Sequence, residues 1–188
     1  ILVVAVLSHR DRSLHLLPRL DLDEVDDRRA PSVAARFWDL VPFEPVDAAL
    51  IGEKEDIWVR TPENFRKDLK TLYDKGYRAI GMKDYIEGNI DTPPGTTPIV
   101  ITFDDGTKGQ FNVLGEGDDF VVDPDSAVGI LEDFNKQYPD FGLKATFYVF
   151  YPTPFKQDKW VTKKFQYLVE KGMEIGNHSY NHENLRMD

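Results

Sequence analysis

Cysteine is absent from this chain. That excludes disulfides, thiolate-bound structural zinc and a thiol nucleophile. Positive charge is also scarce: 23 Lys and Arg against 33 Asp and Glu give a net charge of −10. A phosphate backbone demands a basic surface, so nucleic acid is excluded as a partner, whereas a neutral sugar chain is not. Long apolar runs are missing too. Ile1–Leu7 falls far short of the roughly 20 residues that span a bilayer. It reads as a buried strand rather than the end of a secretory signal, because no basic flank precedes it and no clear cleavage site follows. Lysine is absent before Lys54, the basic residues there being all arginine. This break separates an N-terminal segment of unassigned structure, residues 1–53, from a unit spanning 54–188. Within the first segment, Asp21–Arg29 reads as a solvated helix or linker, Arg36–Val41 as a small apolar patch, and His9 and His15 carry no chemistry. With 41% hydrophobic and 12% aromatic residues, the 188-residue chain has material for one well-cored domain.

The stretch that organises the rest is Pro98-Ile99-Val100-Ile101-Thr102-Phe103-Asp104-Asp105-Gly106. A short apolar, β-branched run bounded by Pro and Gly predicts a buried strand. It ends in adjacent carboxylates, and functional groups gather at the C-terminal ends of parallel strands. Neighbouring strand residues face opposite ways, but a turn at Gly106 lets both acids address one cavity. Two such carboxylates stay ionised together only if a cation or proton separates them. The complement lies in Met173-Glu174-Ile175-Gly176-Asn177-His178-Ser179-Tyr180-Asn181-His182. Histidines four apart on a helical turn share one face. With Asp104 or Asp105 they supply three ligands and leave one position open, the pattern of a catalytic zinc site.

Between these motifs the signals alternate. Thr61-Pro62 opens a helix with Phe65, Leu69, Leu72 and Tyr73 at helical spacing, Lys75-Gly76 closes it, and Tyr77–Ile80 is a strand. Asp123-Pro124 opens another helix with Ala127, Ile130, Leu131 and Phe134 inward. Lys144–Phe150 is a buried strand. Val161, Phe165, Leu168 and Val169 stripe a third helix, ended by Lys171-Gly172. Strands alternating with helices predict parallel βα units. Phe111–Leu114 and Phe120–Val122, joined by a Gly115–Asp119 turn, predict an inserted β-hairpin after the carboxylates. The Tyr151–Phe155 segment lies at the same edge, its rings available either to stack on sugar or to close over the core.

Thr102-Phe103-Asp104-Asp105-Gly106 and His178-Ser179-Tyr180-Asn181-His182 resemble the first two motifs of the polysaccharide deacetylases of carbohydrate esterase family 4, the NodB-like domain. Lys144-Ala145-Thr146-Phe147-Tyr148-Val149 is similar to that family's second strand, and the likeness covers roughly residues 54–188. The resemblance implies an α/β fold, the first part of a distorted (β/α) barrel. It implies that Asp105, His178 and His182 hold a divalent metal, zinc by default with cobalt, nickel or manganese as alternatives. Asp104 is then the catalytic base, and Ser179 braces the histidine turn. The implied reaction is removal of acetyl groups from an N-acetylated polysaccharide such as peptidoglycan, a chitin-like chain or poly-N-acetylglucosamine, metal-bound water attacking the amide carbonyl. The implied location is extracellular or at the cell envelope.

The family's later motifs, which carry an arginine, an aspartate-tryptophan pair and the general acid, lie downstream of the histidines and are not found in this sequence. A complete eight-unit barrel takes about 250 residues. A C-terminal continuation or a second chain is therefore expected as a partner, and full turnover by these residues alone is not. A carbohydrate-binding remnant and a metal-dependent hydrolase of another amide or ester remain open as alternatives.

Overall fold

In the computed structural model, which describes residues 2–7, 43–45, 59–180 and 182, helices alternate with strands from Thr61 onward. His9, His15, the charged run 21–29 and the apolar patch 36–41 lie outside the described residues. Thr61 caps α1 (Pro62–Asp74), its hydroxyl accepting the Asn64 amide at 3.3 Å. Pro62 occupies the first turn, where a missing amide costs nothing. Phe65, Leu69 and Leu72 bury the inner face. Gly76, at φ +84, turns the chain into β3 (Tyr77–Ile80). A short helix, α2 (Met82–Glu87), precedes β4 (Thr97–Asp105), the strand that carries the two carboxylates.

The strands β3, β4, β5 (Thr146–Val149) and β6 (Glu174–Asn177) run parallel, each paired with the next. On the other side of the chain's order, β1 (Leu2–Leu7) lies antiparallel to β4 and pairs in turn with β2 (Phe43–Pro45). The expected strand at the start of the chain thus joins the same sheet as the motif strand. Helices α3 (Ala127–Gln137) and α4 (Val161–Glu170) link the parallel strands. The fold class is therefore α/β with a four-strand parallel run.

Register decides where the chemistry goes. Asp105 stands opposite Val149, and Val149 opposite Asn177, so β4, β5 and β6 all end at one level. Beneath that edge, Phe103 stacks on Phe147 at 4.8 Å and meets Phe65 of α1 edge-on at 5.7 Å. Ile99, Ile101, Leu131 and Leu168 are fully or almost fully buried with them. This apolar floor holds the strand ends rigid under a polar rim.

Several expectations need correction. The second long helix starts at Ala127, not at Pro124. Asp123 takes the Asp125 amide on its side chain and the Ser126 amide on its carbonyl, forming a turn, and Ser126 is the cap. Its inward residues are those expected. On α4 the stripe ends differently: Val169 is 63% exposed, while Lys164 is fully buried. Lys164 lies on the same helical face as Val161, Phe165 and Leu168, and its ammonium finds oxygen acceptors inside: Phe111 O at 2.7 Å, Gln157 Oε1 at 2.6 Å and Phe155 O at 3.3 Å. The inserted hairpin is reduced to one antiparallel bridge, Val113 to Val122, rather than two strands. Its glycines and acidic turn leave too few successive residues in register for a ladder, and the Val113 backbone is gripped instead by the Gln157 side chain.

Candidate metal centre

The carboxylate pair owes its geometry to a backbone reversal. Asp105 adopts φ +79 and Gly106 φ +60, so the strand's alternation breaks at the aspartate itself, one residue before the expected turn. Aspartate is among the few residues that tolerate this left-handed region. At Gly106 a side chain is excluded on a second ground, since a Cβ would sit 2.9 Å from Cγ1 of Val149. The Phe155 amide donates to the Gly106 carbonyl at 2.7 Å and holds the turn from the side. Phe155 is fully buried, so its ring closes the core, while Tyr151 in the same segment remains 38% exposed.

The histidines leave β6 without forming the helical turn their spacing predicts. Ser179 has φ +72 and His182 φ +57, values incompatible with a right-handed helix. His178 continues the ladder by donating its amide to Val149 O at 2.9 Å, after which the chain bends back. The bend is fastened by Asn177, whose Oδ1 accepts the Ser179 amide at 2.7 Å. Ser179 Oγ is buried with no hydrogen-bond partner among the described residues, so the bond that secures this turn comes from the residue before the first histidine. Phe150, just past β5, presents its ring edge-on to His182 at 5.8 Å.

These two turns meet. Oδ1 of Asp105 lies 3.4 Å from Nε2 of His178 and 3.4 Å from Nε2 of His182. At that distance no hydrogen bond forms, and Asp105 Oδ1 and His178 Nε2 are buried without a hydrogen-bond partner. Orphaned polar atoms of this kind are rare in folded proteins and call for an explanation. A cation supplies one. Nitrogen and oxygen ligands at about 2.0–2.2 Å from a tetrahedral zinc stand about 3.4 Å apart. Among the described residues, the group Asp105, His178 and His182 has its ligand atoms within 4.8 Å of one another, and the donor set suits a divalent metal. The His182 side chain is 58% exposed, against 26% for Asp105, so the cluster opens toward solvent on the His182 side.

Asp104 stands beside the cluster, not in it. Its register partner is Tyr148 of β5. Burial pushes its carboxyl above the ordinary value; His178 and His182 pull the other way, and the neighbouring Asp105 charge adds to the rise. A half-buried carboxylate left out of the ligand set is free to exchange a proton. The arrangement thus sets three groups that could hold a cation beside a fourth carboxyl that stands outside their group.

Sequence reasoning pointed to these four side chains, three of which the structure brings together, but not to Gln110 or Glu174. Gln110 is 6% exposed and bonds into the Asp104–Thr107 turn, and no periodicity announces it. Glu174 accepts the Met82 and Lys83 amides at 2.9 and 3.1 Å and the Thr146 hydroxyl at 2.6 Å, tying the start of β6 to α2. Lys164 did leave a trace, as a charge at an inward helical position.

A sequence model of the family described as polysaccharide deacetylase matches residues 91–188, a span that takes in both motifs. No curated protein and no solved structure matches the chain.

Proposed function

This chain belongs to the polysaccharide deacetylase family, and from that premise we propose that it hydrolyses acetyl groups from an N-acetylated polysaccharide, using a divalent cation held by Asp105, His178 and His182. The observation that carries the reading is the meeting of Asp105 with both histidines at 3.4 Å, with partnerless buried atoms facing one another. Zinc suits this donor set best. The four parallel strands are read as the first part of a distorted (β/α) barrel, whose strand ends carry the site.

A cation bound there supplies Lewis acidity, polarising an acetyl carbonyl and acidifying a water molecule. The residues of the chain divide the remaining work. Asp105 contributes the negative charge that fixes the cation and is therefore unavailable as a base. Asp104, unligated and half-buried, takes the proton from the attacking water. His182, on the exposed flank, leaves the side from which a polymer approaches. Tyr180, within the histidine turn, and Tyr151, next in the chain to the Phe150 that meets His182, are 60% and 38% exposed and offer apolar ring faces. Peptidoglycan, chitin-like chains and poly-N-acetylglucosamine all present the required N-acetyl group, and such polymers place the protein at the cell envelope or outside it. No helix among the described residues is long and apolar enough to cross a membrane.

The test is acetate release from N-acetylglucosamine oligomers, with zinc added and with a chelator. Zinc-dependent acetate is the expected result. Metal uptake without acetate from any of the three polymer classes would favour a carbohydrate-binding role at the same site.

A further inference from the structure

We propose that Gln110 is a positioning residue for the metal centre: its side-chain amide holds the Asp104–Asp105 peptide and the Gly106–Thr107 peptide, which bracket the turn at Asp105, and so aims that carboxylate at the histidines. The inference rests on the metal reading above.

Asp105 needs such support. Its left-handed φ of +79 is one that aspartate tolerates better than most residues but still adopts less readily than extended backbone. Relaxation to ordinary strand geometry would swing its side chain to the opposite face of the sheet, away from His178 and His182. Such a conformation persists only where its surroundings over-determine it. Gln110 does this from within the same loop. Its Nε2 donates to the carbonyl of Asp104, and its Oε1 accepts the amide of Thr107 at 3.3 Å. One planar group therefore holds the residue before Asp105 and the second residue after it. The two bonds use the amide's donor and acceptor in complementary senses, which also settles its orientation.

The clamp is itself anchored. Gln110 O accepts the Val128 amide and Gly109 O accepts the Ala127 amide, both at 3.0 Å, so the loop sits on the first turn of α3. Gln110 is buried at 6% exposure, next to Phe111, which is fully buried, and lines a cavity with the apolar Phe65, Phe103 and Ile130 and the polar Asp105 and Thr107. At that burial a polar side chain must satisfy its hydrogen-bonding groups, and Gln110 does so on the loop backbone. The amide is there for the backbone it bonds.

The decisive variant is Gln110→Met, which keeps the side chain's length and removes both bonds. Zinc affinity would be measured by competition with a chromophoric chelator, and ligand geometry by the visible spectrum of the cobalt form, with circular dichroism reporting the fold. The expected result is a folded protein that binds zinc roughly 10–100-fold more weakly, with an altered cobalt spectrum. A folded variant with wild-type affinity and spectrum would overturn the proposal. Should the variant fail to fold, hydrogen exchange of the Thr107 amide in the wild-type protein decides the matter: slow exchange supports the clamp and fast exchange refutes it. Failure of the wild-type chain to bind any divalent metal would instead defeat the reading of function, while leaving the Thr107 exchange to judge the clamp.

Discussion

Oδ1 of Asp105 stands 3.4 Å from Nε2 of His178, although two α-helices and two strands separate them in the chain. That spacing is too long for a hydrogen bond and suited to two ligands of one cation. It gives Asp105 and Asp104 different fates on substitution. Asp105→Ala removes a ligand and should weaken metal binding by more than the roughly 10–100-fold typical of supporting residues. Asp104→Asn should leave metal binding nearly unchanged while lowering acetate release by about 10²–10⁴-fold, the usual contribution of a general base. Calorimetric metal titration beside an acetate assay separates the two. Loss of metal on Asp104→Asn would reverse the assignment.

The ring of Tyr148 lies across Gly176. A Cβ at position 176 would fall 2.2 Å from Cδ1 and 2.4 Å from Cε1 of that ring. Gly176→Ala should therefore destabilise the protein by about 1–3 kcal/mol through overpacking. In a Tyr148→Ala background the same substitution should cost far less, because the clashing atoms are gone. Urea unfolding of the four proteins checks this. Simple additivity of the two changes would show that the ring does not set the space above Gly176.

Lys164 makes stability depend on alkaline pH. Burial, aided by the charge of Lys108, pushes its ammonium from the ordinary 10.5 down to about 8. The three oxygens around it keep it protonated at neutral pH. With the folded value below the unfolded one, the unfolded chain binds more protons between the two, so this group's contribution rises with pH across that window. It is fully present above about pH 10.5 and lost as pH falls through about 8. The stability of wild type relative to Lys164→Met should accordingly grow between pH 8 and 10.5 in denaturant titrations. A difference that stays constant with pH would mean that folding leaves the Lys164 proton affinity unchanged.

Much of the fold was legible in local patterns. The Thr61-Pro62 start of α1, its Lys75-Gly76 close, and β4 ending in Asp104-Asp105 are set by caps, by glycine and by a β-branched run, all features of a few adjacent residues. The start of α3 was misplaced because Asp123 hydrogen bonds its own following turn, an alternative that competes with helix initiation. The α4 stripe was misread at Val169 and at Lys164, and burial of Lys164 depends on acceptors that lie outside the helix: Phe155 and Gln157 in the loop before it and Phe111, which is distant in the chain.

The sequence by itself determined which side chains are available for chemistry. Asp104 and Asp105 end one strand-like run, His178 and His182 follow another, and no cysteine competes for a metal. Only the tertiary structure decided how they meet. The common level of β4, β5 and β6 brings the aspartate to the histidines, the left-handed backbone at Asp105 turns it toward them, and Gln110 and Asn177 fasten the two turns. These are long-range pairings and single side-chain bonds within irregular loops. They leave no period in the sequence, because each depends on where another part of the chain has already been placed.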